Sequence, residues 1–399
     1  MLAATAVVAL AISVYSTVYF QARQLSQFWP LWLFLLSALN ALFLSADLFN
    51  LYVTLELAGL AAVALTGFSG GRDAVVAAMR YLLATLLGSL AYLLGVALIY
   101  HSYGTLDLAM LGQRVVPSPA YWSALGLMST GLALKTALFP LHFWLPPAHA
   151  SASAPVSAAL SALVIKGSFY ILLRLWLEVF PSNVGSSGLF FGLLGAAAVF
   201  WGGLQALRAK RLKLLIAYST VMQVGYLFLV FPLAHPSAWR GGLYLLVSHA
   251  LAKAAMFLAA GNILQFSGHD RIEDLHRIAQ RLPLTIAAFA LAGVSIMGLP
   301  PSGGFIAKWL MVEASLGSGQ WWWAVTLIFG GLLSAAFVFK VVGHAFTSTT
   351  VTDTVKNVPA LMEWTALLLA LAAILLGLVA PWPLAWMEIG EPFPGVLAK

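Results

Sequence analysis

Apolar runs long enough to cross a lipid bilayer recur from one end of this chain to the other, and they constrain its fold more than any other feature. A transmembrane helix needs about 20 mostly apolar residues. Roughly twelve runs approach that length, near 1–20, 28–47, 49–69, 76–101, 120–145, 153–180, 187–207, 212–232, 239–265, 282–316, 320–345 and 362–385. None alternates as a barrel strand would, so helices must satisfy the backbone. The composition agrees, with 62% hydrophobic and 8% charged residues and a mean hydropathy of +0.94. The expected fold is an all-α polytopic membrane protein, with 1–399 as a single membrane domain. The first run lacks a basic leader and a small-residue cleavage site, and reads as a retained span rather than a signal peptide.

Several chemistries are excluded. The chain has no cysteine, so it holds no disulfide, thiolate metal site or iron–sulfur cluster. No phosphate-binding loop of the Walker or GxGxxG type occurs, and no cofactor is expected. No grouped His/Asp ligand set suggests a metal. The net charge of +7 does not point to nucleic acid, because the basic residues sit in alternate short connectors. Arg23, Arg72 and Arg80, then Arg208, Lys210, Arg211 and Lys213, then Arg271, Arg277 and Arg281, then Lys356 form the rich set. Arg114 and Arg240 lie in the poor one. The positive-inside bias makes the rich set cytoplasmic and puts both termini outside, which requires an even number of spans.

Two spans look broken. One region, 131–155, contains Pro140, Pro146, Pro147 and Pro155; another, 293–310, contains GLPPSGGFIAKW. Proline removes a helix hydrogen bond, and a membrane tolerates this only where protein or water satisfies the freed groups. Paired broken helices point to inverted repeats around a midplane ion site. The expected division is a first repeat over about 28–180, a second over about 187–345, and a final helix near 362–385.

Glu56, inside LYVTLELAGLAAVAL, and Lys135, inside GLALKTALFPLHFWLPPAHA, put ionisable groups where hydrocarbon should be. Lys166, Lys253 and Lys308 repeat the anomaly. Intramembrane charges are costly and mark ion pathways by default. A buried lysine ammonium loses hydration and gives up its proton more readily, whereas a nearby carboxylate favours the charged form. A lysine with a movable acid partner is therefore a proton switch. The functional reading pairs Glu56 with Lys135 and passes the proton toward Lys166; the bland alternative is a static pair joining helices. His249 and Lys253 are four residues apart, share a helix face and suit a relay. His142 and His149 flank the broken region, either as relays or as partners of freed carbonyls. Arg174, Glu178 and Lys340 are expected to snorkel at span ends, and Trp321–Trp323 to anchor at an interface.

The segments DLFNLYVTLELAG (47–59), ALKTALFPLHFWLPPAHASASAPVSAALSALVIKGSFYILLR (133–174), LLIAYSTVMQVGYLFL (214–229), SHALAKAAMFLAAGNI (248–263) and GLPPSGGFIAKWLM (298–311) resemble the antiporter-like membrane subunits of respiratory complex I. They equally resemble the large subunits of Mrp-type Na⁺/H⁺ antiporters and of membrane-bound hydrogenases. The resemblance covers nearly the whole chain. It implies inverted five-helix repeats, with Glu56 and Lys135 as the acid–lysine pair and Lys166 as the central lysine. It makes His249 and Lys253 the second-half relay, and Lys308 the exit-side residue, a position that is Lys or Glu across the family. It further implies a subunit of a multisubunit complex in a prokaryotic inner membrane, without an active site of its own. Its partners would be membrane subunits, with peripheral redox or metalloprotein subunits in a redox pump of the NADH:quinone oxidoreductase or hydrogenase type. Its cargo would be protons, or Na⁺ or K⁺ exchanged for protons in an antiporter; a third reading is a structural subunit that has lost transport. The chain departs from the family pattern in three ways: it starts at about the third helix, reads Pro146-Pro147-Ala148-His149 where PDAH is usual, and stops soon after its last span.

Overall fold

The computed structural model describes residues 1–180, 188–347 and 356–389. Residue 187, where the second repeat was expected to begin, and the C-terminal residues from 390, whose side of the membrane was read from loop charge, lie outside the described residues. Helices account for nearly all regular structure, and the only extended pairing among the described residues is two isolated bridges.

The order is α1 (Leu2–Tyr19), α2 (Ala22–Leu44), α3 (Leu48–Gly67), α4 (Arg72–Tyr103), α5 (Leu108–Arg114), α6 (Pro119–Lys135) and α7 (Leu145–Ser151). It continues with α8 (Ala154–Val179), α9 (Gly188–Arg208), α10 (Leu212–Leu233) and α11 (Pro236–Ser267). Then come α12 (Pro283–Met297), α13 (Gly303–Gly317), α14 (Trp321–Phe346), α15 (Ala360–Leu378) and α16 (Pro381–Glu388). Ten of those described are long and apolar enough to cross a membrane. The protein is an integral, polytopic, all-α membrane protein. The runs read as 120–145 and 282–316 are not continuous helices. The first is α6, at 17 residues, followed by a break and a short 3₁₀ turn at Leu141–Trp144. The second is split into α12 and α13, at 15 residues each. The causes are Pro140, which has no N–H to give, and the Gly298–Pro301 stretch, which begins with Gly298 at φ +82°.

Local chemistry sets the other ends. Asp47 caps α3 by accepting from the amides of Phe49 and Asn50, Ser118 caps α6 and Ser302 caps α13. Asp47 pairs with Asp107 in one bridge and Arg211 with Arg271 in the other. In each, the residue before a helix meets the connector that follows the next long helix. Leu48 and Leu108 donate to Leu106 and Ala46, just as Leu212 and Ile272 donate to Asp270 and Lys210. The long helices enclosed by the bridges, α4 and α11, both have 32 residues, and α6 and α12 after them both begin with proline. Asp47 starts α3, whereas Arg211 lines one cavity with the 68–74 connector that ends α3. The two bridges therefore lie at opposite ends of the bundle.

The most enclosed spans are α8, α10 and α11, each 89% buried along its apolar window, against 33–50% for the others. They form the centre. Close approach of small residues brings the remaining helices onto them. A Cβ on Gly88 of α4 would sit 2.7 Å from the Gly131 carbonyl of α6, so glycine at this contact presses α6 against α4. Lys135 follows Gly131 by one turn and is carried to the same seam.

Candidate functional site

Lys135 is the last residue of α6 and is buried; its Nζ donates to Thr85 Oγ1 at 2.6 Å. Glu56, in mid-α3, presents Oε2 at 3.7 Å from that Nζ. Ser89, one turn beyond Thr85 on α4, donates to Glu56 Oε2. The other carboxylate oxygen, Oε1, is buried without a protein partner. Tyr81, Trp144 and Ser168 close a cavity of about 20 Å³ against Lys135, with room for one water. The structure thus brings Glu56 and Lys135 together, with an α4 hydroxyl on each. Beyond Lys135, Thr136 donates to Ser168 at 3.1 Å, one step along α8 toward the next lysine.

Lys166 lies in mid-α8, just after the helix widens into a π turn over Leu160–Val164. Its ammonium donates to the Ser161 carbonyl. Ser161 Oγ is 3.0 Å from Thr220 Oγ1 of α10, and Thr220 donates to Ile216 O at 3.0 Å. Lys253 of α11 donates to the same Ile216 carbonyl at 3.1 Å and to Ser219 Oγ. Hydrogen bonds to Ser161, Thr220 and Ile216 therefore link Lys166 to Lys253, with the covalent frame of Ser161 bridging its carbonyl and its hydroxyl. His249 lies one turn before Lys253; it is buried, and neither ring nitrogen has a protein partner. Lys166, Lys253, Lys308 and His149 are its electrostatic neighbours.

Lys308, in α13, reaches back across the break to the end of α12. It donates to Ile296 O at 2.9 Å and Met297 O at 3.1 Å, with Nζ 4.5 Å from the Tyr226 ring centroid. The C-terminal end of a helix carries partial negative charge, and the ring face adds to it. A static pair with Glu313 is not formed: Glu313 is exposed, and none of the ion pairs among the described residues involves Lys166, Lys253 or Lys308.

The two histidines of the broken region differ. His142, in the 3₁₀ turn, is half-buried and stacks on Phe139 at 5.5 Å. His149 is fully buried in α7 and stacks on Phe257 of α11 at 4.8 Å, beside the Ser157 backbone. The His142 ring hydrogen-bonds the Pro140 backbone beside the break, as a partner of a freed carbonyl would. The charges expected at span ends are bonded rather than simply solvated. Arg174 pairs with Glu178 and donates to Ser45 O at 2.6 Å, while Lys340 donates to Leu207 O and Ala209 O at the end of α9. Trp321 and Trp322 are exposed, but Trp323 is buried and packs inside. Among the described residues no three His, Asp or Glu side chains gather as a metal site would need.

Sequence reasoning missed Thr85, Ser89, Ser161 and Thr220, since hydroxyls are ordinary in membrane helices and only a partner distinguishes them. It also counted Lys213 as a loop charge, yet this residue is buried at the start of α10. Its place just after Arg211, at a helix start, was the available signal.

A helical bundle with broken spans and buried lysines at its centre defines a class of antiporter-like membrane subunits. Residues 45–334 match the family model described as NADH:quinone oxidoreductase/Mrp antiporter, transmembrane region. The chain is 39% identical over 345 residues to NADH-quinone oxidoreductase subunit N of Desulforudis audaxviator, covering 84% of this chain and 69% of that one. It superimposes on a chain of the Mrp complex from a Dietzia species with TM-score 0.89 and 25% identity, over 96% of this chain and 80% of the other. An archaeal membrane-bound sulfane sulfur reductase gives the same TM-score at 27% identity, over 98% and 80%. The chain belongs to the NADH:quinone oxidoreductase/Mrp antiporter family of membrane subunits.

Proposed function

We propose that this chain translocates protons as one subunit of a multisubunit membrane complex, along a path through Glu56, Lys135, Lys166, Lys253, His249 and Lys308, with His142 and His149 as further relays. The observation that carries the reading is the set of buried ammonium groups of Lys166, Lys253 and Lys308. Each is held by carbonyls or hydroxyls, and among the described residues none lies in ion-pair range of a carboxylate. Structural charges in a membrane interior are usually paired. Three unpaired ones serve a group that must gain and lose a proton. Partner membrane subunits, and peripheral redox subunits to supply energy, follow the relatives' assemblies; the basic-rich face is the cytoplasmic one by the positive-inside bias.

The two-repeat division, about 28–180 and 187–345, is supported by the matching bridges at opposite ends of the bundle. That arrangement is what an inverted repeat would produce. The likeness to the Mrp chain supports a second reading, a monovalent cation/proton antiporter driven by the ion gradient alone. Purifying the complex and identifying its companions by mass spectrometry separates the two, since redox subunits mean a pump and small membrane subunits alone an antiporter. Proton uptake by proteoliposomes then tests the path. Glu56→Gln and Lys135→Ala should each abolish most uptake in an assembled complex, and near-normal uptake in either removes that residue from it.

A further inference from the structure

We infer that the large polar cavity on the basic-rich face is the vestibule by which water-borne protons enter, and that Lys213 on its inner wall passes them to His149. The inference rests on the proton-conducting reading. The cavity encloses about 940 Å³ between the ends of α1, α3 and α11 and the starts of α2, α4, α8 and α10. Arg72, Arg211, Lys213 and Lys356 line it, against the single carboxylate Asp73. A wall of this sign repels Na⁺ and K⁺ but holds water, from which a proton can be taken.

Lys213 is the one basic residue of its run that turns inward, only 2% exposed. Its Nζ donates to the carbonyls of Ala150 and Ala152, which flank His149 by one residue and three. His149 counts Lys213, Lys253 and Lys166 as electrostatic neighbours. Of the charged groups around Lys213, Asp270 accepts from its backbone amide at 3.4 Å and is itself paired with Arg211 at 2.9 Å. Among the described residues, Lys213 is the charged neighbour of His149 that also lines the cavity. In the step, the Lys213 ammonium gives one proton to an imidazole nitrogen, and the neutral amine left behind takes another from cavity water, whose hydroxide is neutralised by exchange with the bulk water on that face. Ser69 also lines the cavity, exposed at the end of α3.

A purely structural Lys213 would cap the end of α7, and arginine can do that equally well without ever releasing a proton. In the purified complex reconstituted in proteoliposomes, Lys213→Arg should keep wild-type thermal stability and lose at least tenfold in proton uptake. Wild-type uptake in that variant overturns the inference. Independently of that variant's folding, Ser69→Cys in this cysteine-free chain should react with a bulky, water-soluble thiol reagent from the basic face, and the adduct should stop uptake. A thiol that stays unreactive, or an adduct that leaves uptake intact, also overturns it. A wild-type complex that moves no protons counts instead against the proton-conducting reading itself.

Discussion

The Glu56 carboxylate and the Lys135 ammonium stand 3.7 Å apart, and each makes its closer hydrogen bond to α4 rather than to the other. Ser89 and Thr85 hold them from successive turns of one helix, so a small displacement of α4 would change both contacts together. An acid and a lysine that are close but not in tight contact can exchange stabilisation with little motion. This is the geometry a proton switch needs.

Removing the hydroxyls should let the pair close. Ser89→Ala and Thr85→Val each lose one hydrogen bond of about 1 kcal/mol, and a tighter pair resists deprotonation of the lysine. Proton uptake should slow by roughly fivefold per substitution, with assembly unchanged. Uptake rates of the two variants in proteoliposomes check this, and unaltered rates would show that the hydroxyls do not tune the pair.

The α4–α6 seam should be intolerant of a methyl group. Gly131→Ala directs its Cβ into the Gly88 carbonyl, whereas Gly126 has open space on its side. Gly131→Ala should destabilise by about 1–3 kcal/mol and lower uptake by moving Lys135 off Thr85, while Gly126→Ala should do neither. Thermal inactivation of the detergent-solubilised complex distinguishes them.

At Lys308 the structure alters what family resemblance alone suggests. Glutamate, which the family uses at this position, would here face two carbonyl oxygens and the Tyr226 ring, all electron-rich. Lys308→Glu should therefore be less stable than Lys308→Gln, which can still donate to Ile296 O. A Glu variant at least as stable as the Gln variant, by thermal melting of the complex, would contradict the capping role.

Much of the fold was legible because the bilayer fixes span length and forbids unsatisfied backbone. Runs such as 49–69 and 239–265 map onto α3 and α11, and Pro140 and Gly298–Pro301 announced the breaks. The span limits at 120–145 and 282–316 ran through those breaks, since hydropathy continues across them and only backbone geometry fixes where each helix stops. In the site, a charge inside an apolar run is conspicuous, so Glu56, Lys135, Lys166, Lys253 and Lys308 could be named. Their partners could not be. Ser161 meets Thr220 only because α8 and α10 pack at the centre, and Lys213 looked like its exposed neighbours until α10 turned it inward.

The ends of the bundle can be assigned directly. Lys210→Cys and Ser102→Cys lie at exposed positions near the two opposite bridges. They should label from opposite sides, Lys210→Cys from the cytoplasm. Labelling of both from one side would contradict the arrangement of the bridges, and outer-side labelling of Lys210→Cys would reverse the orientation.

The central claim is that the buried lysines act by releasing protons, not merely by carrying charge. Lys253→Arg is the most direct test, because arginine keeps a permanent cation and hydrogen-bond donors beside Ile216 and Ser219 but does not deprotonate. The measurement is proton uptake by proteoliposomes containing the assembled complex, compared with wild type at equal protein. The account predicts at least a tenfold loss with the complex intact; uptake equal to wild type would contradict it.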